Sequence, residues 1–248
     1  MKIIFHRNFY QVYTSDPASA SGRMESIVDI LAGQHEFIEP VPAEGQDIAA
    51  VHTTSHIDYV KRLGLYDISS MAAGGALCAA SLGMEEPCFG LIRPPGHHAS
   101  ADRSWGFCYF NNMAIALEKL KRDKAIDRAF VLDIDLHFGD GTVNICKNRD
   151  YVSVFNASAS DRKTYLREIE RELAGQQSDI IGISAGFDNH RDDWGGLLKT
   201  EDYTTIGTMV RETCEGIGCG YFAILEGGYN HQVLGSNVKA LLQGMEER

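Results

Sequence analysis

Several things are missing from this chain of 248 residues, and each absence removes a class of protein. No run of apolar residues approaches the roughly 18 needed to cross a bilayer, and MKIIFHRNF at the start lacks the long apolar segment and small-residue cleavage site of a signal peptide. No membrane partner is therefore expected, and the location is expected to be cytoplasmic. Basic residues are scarce: 23 Lys and Arg face 34 Asp and Glu, for a net charge of −11, and no Lys/Arg cluster occurs. That excludes nucleic acid as a partner and would suit a cationic small molecule. The six cysteines form no C-x-x-C pair, so they read as small core residues in a reducing compartment. No linker-like tract and no repeat divides the chain, which predicts a single domain over 1–248. With 44% hydrophobic and 23% charged residues the chain can fill a core, and disorder is expected only at the end, over 245–248.

What is present is an alternation of apolar strands and helices. A first strand is predicted over 2–6, then helices over 21–32 (with Ser21 as N-cap), 55–63 and 71–82, the last alanine-rich and closed by Gly83. Strands follow at 88–93, 129–135, 151–155, 179–185 and 221–226, interleaved with helices at 111–122, 162–174, 200–216 and a last one ending near Met245. Strands alternating with helices of ten or more residues specify an α/β fold: a three-layer α/β/α sandwich around a mainly parallel central sheet.

Ligands in parallel sheets bind beyond the carboxyl ends of the strands. Four apolar strands here run into loops dense with reactive groups: LIR-PPGHHA, VLDID-LHFGDG, IGISA-GFDNH and AILE-GGYN. In VLDIDLHFGD (131–140), strand alternation would put Asp133, Asp135 and His137 on one face and Leu132, Ile134, Leu136 and Phe138 on the other. A D-x-H alone reads most simply as a strand-end cap. With Asp188 added, Asp135 and His137 offer one nitrogen and two carboxylates, the three-ligand set of a catalytic zinc with one open position. His97 and His98 can act as electrostatic partner and general base, with Asp133 and Asp140 as their orienting carboxylates. Tyr229 could donate to a developing oxyanion. His35, His52, His56 and His231 read as surface or helix-flanking residues. The RDD run at 191–193 reads as a brace for the Asp188 loop or as a solvated turn, and Trp105 as a rim residue or a subunit contact.

RPPGHHA (93–99), GFCYFNNMAIA (106–116), LDIDLHFGDGT (132–142), SAGFDNHRDD (184–193) and LEGGYN (225–230), in that order, resemble the histone deacetylase family, including its bacterial acetoin-utilisation and acetylpolyamine amidohydrolase members. The resemblance implies the arginase-deacetylase fold and a zinc-dependent deacetylase acting on an acylated amine. Its substrate would be a small N-acetylated amine such as a polyamine, or acetyl-lysine. It implies zinc, with iron(II) as the alternative, on Asp135, His137 and Asp188. It makes His98 the base and acid, hydrogen-bonded to Asp140, and His97 the electrostatic partner, hydrogen-bonded to Asp133. Tyr229 would be the carbonyl donor, and Gly106 with Phe107 would line the substrate channel. A structural potassium ion would sit beside Asp133, Asp135 and His137.

The chain departs from the family pattern in three places: Phe138 stands where a second histidine is usual, and the segments 63–73 and 154–165 lack the loops that build the channel walls in larger members. A shallow pocket, or one completed by another subunit of a homo-oligomer, is expected. Two rivals remain. A binuclear manganese ureohydrolase would need acids where this chain has Gly139 and His190, and a non-catalytic acyl-ligand-binding module would be expected to lose Tyr229 or the histidine pair first.

Overall fold

The computed structural model describes residues 1–246; the predicted disorder over 245–248 lies partly outside the described residues, at 247 and 248. Its centre is a seven-stranded sheet in which every pairing is parallel, with strand order β2-β1-β3-β7-β6-β4-β5. The strands are β1 (Lys2–Ile4), β2 (Glu36–Ile38), β3 (Cys88–Gly90), β4 (Ala129–Asp133), β5 (Val152–Asn156), β6 (Ile180–Ala185) and β7 (Gly220–Leu225). The inner strands β3, β4 and β6 are buried at every residue, as continuous apolar runs in a covered parallel sheet must be. The edge strands β2 and β5 are partly exposed. At three residues with one exposed glutamate, β2 offers no apolar run, and it is absent from the sequence reading.

Nine α-helices cover the sheet among the described residues: α1 (Glu25–Leu31), α2 (Gly45–Ala49), α3 (Thr54–Arg62), α4 (Tyr66–Gly83), α5 (Asn112–Arg122), α6 (Asp140–Cys146), α7 (Arg162–Ala174), α8 (Thr200–Ile217) and α9 (His231–Glu246). They form two packed sets. In one, α9 lies between α1 and α8, and α8 touches α7; in the other, α5 contacts α4, α2 and α6. The first helix is shorter than the sequence predicts: it starts at Glu25, with no side-chain cap on Met24, so Ser21 is not its N-cap. Helix α4 starts five residues earlier than predicted. The last helix runs through Glu246, in line with an end near Met245, and Met245 is fully buried. No helix among the described residues is long and apolar enough to cross a membrane.

Candidate active site

The strands whose following loops carry the reactive groups, β3, β7, β6 and β4, are four consecutive neighbours in the sheet. Parallel pairing puts all their carboxyl ends at one edge, so the loops meet there. Buried polar groups lock them together. Glu226, at the end of β7, accepts from the amides of Gly96 (2.7 Å) and His97 (3.2 Å). Arg23, fully buried, donates to the carbonyls of Gly228 (2.8 Å) and Glu226 (2.6 Å). Asn111 caps α5 through the amide of Ala114 and donates to Ala99 O and Thr142 Oγ1, both at 3.0 Å. His52 accepts from the amide of Asn111 (2.9 Å) while its other ring nitrogen meets Ser100 O at 3.0 Å. His52 and His56 thus stand at the start of α3, as helix-flanking residues, but are buried, which corrects only the reading of them as surface residues. Burial pushes the His52 pKa down to about 3, so this bridge is neutral.

Beyond Asp133 the chain leaves strand geometry, and the predicted alternation ends with it. Asp133 Oδ1 accepts from the amide of Asp135 (3.1 Å), and Asp135 Oδ1 from that of His137 (2.9 Å). Two successive turns of this kind, each closed by an aspartate side chain on the amide two residues ahead, direct Asp135 and His137 toward Asp188. His137 Nδ1 stands 3.3 Å from Asp135 Oδ1 and 3.0 Å from Asp188 Oδ2. One candidate ligand atom from each of the three lies within 4.8 Å of the other two. Leu136 and Gly227 fix the outer carboxylate oxygens through their amides, at 3.1 and 2.8 Å. A Cβ at Gly227 would stand 2.5 Å from Asp135 Oδ2, so only glycine admits the carboxylates this close. Phe138 points to solvent, 58% exposed, away from the cluster as expected.

The donor set fits a divalent cation. Asp188 Oδ2 is buried with no well-formed hydrogen bond, although it faces His137. Two buried carboxylates this close demand a compensating positive charge. Hydrogen bonding to Asp135 and Asp188 pushes the His137 imidazole up to about 10. Burial, with Asp135 nearby, pushes Asp188 up to about 6. One nitrogen and two oxygens are ligands that zinc or iron accepts. His97, Cys108 and Glu226 form a second buried group of similar reach, but His97 Nδ1 is engaged by Asp133 and burial holds the Cys108 thiol well above its usual range.

The adjacent histidines sit in opposite electrostatic settings. His97 Nδ1 meets Asp133 Oδ2 at 3.1 Å, and its Nε2 lies 3.8 Å from Asp135 Oδ1. Burial opposes its charge, but the two carboxylates outweigh burial and hold it well above its ordinary value. His98 Nδ1 bonds Asp140 Oδ1 at 2.8 Å. Burial and the neighbouring His97 charge outweigh Asp140 there, and His98 drops to about 4. The two imidazoles are thus shifted in opposite directions, His97 toward its charged form and His98 toward its neutral one.

Above these groups opens a cavity of about 110 Å³, whose walls include His98, Trp105, Phe107, His137, Trp194 and Tyr229. Both tryptophans of the chain stand at its mouth, Trp105 54% and Trp194 53% exposed. Trp105 is thus a rim residue, with its ring 3.9 Å from that of His98. Phe107 takes a left-handed backbone (φ 67°), as does Gly106 (φ 58°), whose missing side chain leaves room for His98. Burial pushes the Tyr229 phenol up, so it is a hydrogen-bond donor at any physiological pH.

The structure brings Asp133, Asp135, His137, Asp140, His97, His98, Asp188, Gly106, Phe107 and Tyr229 to this one edge of the sheet. Sequence reasoning assigned no role to Arg23, His52, Glu226 or Trp194. Glu226 alone had a signal, an acid ending an apolar strand.

A family model described as "Histone deacetylase domain" matches residues 17–165 and 159–245. The chain is 30% identical to "Probable deacetylase" of Methanothermobacter thermautotrophicus, with 98% of this chain and 90% of that protein covered. It is 33% identical to "Histone deacetylase-like amidohydrolase" of Pseudomonas aeruginosa, covering 84% and 70%. The HD domain of HDA15, a crystal structure, superposes with a TM-score of 0.85 at 22% identity, over 98% of this chain and 88% of that one. That likeness speaks for the fold alone.

Proposed function

The chain belongs to the histone deacetylase family, and from that membership and the geometry of the site we propose a single-domain, zinc-dependent amidohydrolase that removes a short acyl group from an amine. One observation carries the reading: Asp135, His137 and Asp188 each bring a ligand atom within 4.8 Å of the others, and His137 lines a cavity together with His98 and Tyr229. The metal would be held by Asp135, His137 and Asp188, with iron(II) as the alternative ion. When bound, it would polarise the acyl carbonyl and make water more acidic.

The protein's own groups account for the proton traffic. His98, neutral and aligned by Asp140, takes the proton of the attacking water as the new C–O bond forms. Tyr229 donates a hydrogen bond to the oxygen that gains charge. Protonated His98 then gives its proton to the amine nitrogen as the C–N bond breaks, leaving a carboxylate and a free amine. His97 is fixed in its charged form by Asp133 and Asp135 and serves as an electrostatic partner. A structural potassium ion is proposed beside Asp133, Asp135 and His137, where the buried Ser184 hydroxyl, level with Asp133 in the sheet, has no hydrogen-bond partner.

A cavity this small suits an acetyl or similarly short acyl group, since ligand pockets usually run to several hundred Å³. The aromatic rim and the charge of −11 favour a small N-acetylated amine with a second, cationic nitrogen over acetyl-lysine in a protein. Against the ureohydrolase alternative, a side chain at Gly139 would collide with Asp133 (2.2 Å), and His190 is turned away to Thr200 (3.3 Å). We assign the channel walls to this chain rather than to a second subunit, because both indoles stand at the rim. The test is a panel of acetylpolyamines, acetyl-lysine peptides and longer acyl amides, assayed with zinc and with iron, alongside metal stoichiometry. One divalent ion per chain and turnover of acetylpolyamines are expected. Two tightly bound ions, or binding of a hydroxamate without any turnover, would overturn the reading.

A further inference from the structure

Tyr229 is held unusually for a residue that must aim a hydroxyl. Its phenol oxygen makes no hydrogen bond to any described residue, and it follows Gly227 and Gly228, the latter at φ 115°. Two glycines leave the approach to Tyr229 with little conformational restraint of its own. Beyond the bonds that anchor the glycines themselves, from Arg23 to Gly228 O and from Gly227 N to Asp135, two consecutive residues on the β6–α8 connection hold it. The Asp193 carboxylate accepts from the amides of Tyr229 (2.8 Å) and Asn230 (2.7 Å) through Oδ2, and from the amide of Trp194 (2.8 Å) through Oδ1. The Trp194 indole then stacks on the Tyr229 ring, with centroids 4.1 Å apart and planes 27° from parallel. Trp194 also stands edge-on to His137, at 6.1 Å and 89°. The other face and edge of the tyrosine have looser neighbours, Arg23 at 5.6 Å and Phe107 at 5.9 Å.

We infer that Asp193 and Trp194 act together as the positioning residues for Tyr229, the carboxylate clamping its backbone and the indole setting its ring. Trp194 at the same time forms the wall that the short 154–165 segment does not. The inference rests on the functional reading above for the role of the tyrosine, but the placement itself is independent of it. Trp194 is half exposed, so its replacement removes little core and the fold should survive.

The test is a double-mutant cycle with a spectroscopic arm. Trp194→Ala should lower kcat on the order of tenfold, as expected for loss of an aromatic pair. Trp194→Phe should recover most of it. In a Tyr229→Phe background Trp194→Ala should cost less than about twofold in kcat, because two residues acting through one group are not additive. The same tenfold loss in both backgrounds would overturn the inference, as would wild-type kcat in Trp194→Ala. For the second arm, Trp105→Phe leaves Trp194 as the single tryptophan, and adding Tyr229→Ala should shift its emission to the red and raise its quenching by acrylamide. Unchanged emission and quenching would mean that the stack is absent in solution and would sink the inference. Loss of the stack signal on Tyr229→Ala in a protein that turns over no acylated amine would count against the functional reading while supporting the placement.

Discussion

His98 and Trp105 share one carboxylate and lie against each other. Asp140 accepts from His98 Nδ1 at 2.8 Å and from Trp105 Nε1 at 3.1 Å to each oxygen, while the two rings sit 3.9 Å apart at 32°. The indole therefore restrains both the imidazole and the acid that orients it. Trp105→Phe keeps the ring contact and removes the N–H donor. A loss of a few-fold in kcat, with KM little changed, is expected, the size of one partly exposed hydrogen bond. Steady-state kinetics decide it, and a pure KM effect would mean that Trp105 acts on substrate binding instead.

The depressed pKa of His98, about 4, fixes the acid limb of the pH profile. With His98 as the proposed base its free form would be the active one, so kcat/KM should hold as pH falls from 7 toward about 5 and then drop about tenfold per unit below about 4. Asp140 raises the His98 pKa, so Asp140→Asn should move the limb to still lower pH while lowering the plateau. A limb near the ordinary histidine value of about 6.5 would contradict the role given to His98.

Metal binding should fail before folding does when Asp188 is neutralised. Asp188→Asn preserves size and the contact with the amide of Leu136 but removes a charge from the proposed ligand set. The variant should lose metal affinity by at least about tenfold, seen in zinc titrations, with activity falling in parallel at limiting metal. Retained stoichiometric zinc would remove Asp188 from the ligand set. For Tyr229→Phe the expectation is the reverse, full metal content with a loss of about a hundredfold or more in kcat.

Glu226 offers a stability test without catalysis. Its carboxylate satisfies the amides of Gly96 and His97 in the interior, so Glu226→Ala should cost on the order of 2–4 kcal/mol, since each stranded donor costs roughly 1–3. Glu226→Gln, which retains an acceptor oxygen, should cost about half of that or less. Chemical denaturation of the three proteins measures both.

The inner strands were legible in the sequence because a parallel strand covered on both faces has to be apolar throughout, as Ile180 to Ala185 is. Their convergence followed from the same fact. What the sequence concealed was of three kinds. The Asp135–His137 geometry comes from side chains bonding to local amides after the strand has ended, which periodicity cannot register. His52, Arg23 and Trp194 matter through partners 59, 205 and 35 positions away, respectively, or by stacking. Polar residues whose partners are that remote look like surface until the chain is folded. Glu36–Ile38, too short to show any pattern, was invisible for the simpler reason that an edge strand need not be apolar.

Phe107 is one of two non-glycine residues, with Lys124, that take a left-handed backbone among the described residues. A non-glycine residue in that region costs on the order of 1–2 kcal/mol, and here the cost falls on a ring that borders the cavity and faces Tyr229. Glycine at 107 would relieve that strain but lose the burial of a half-buried ring, an opposing effect of similar size, and would strip the aromatic wall from the cavity. Exchanges at this position should therefore register in turnover before they register in melting temperature.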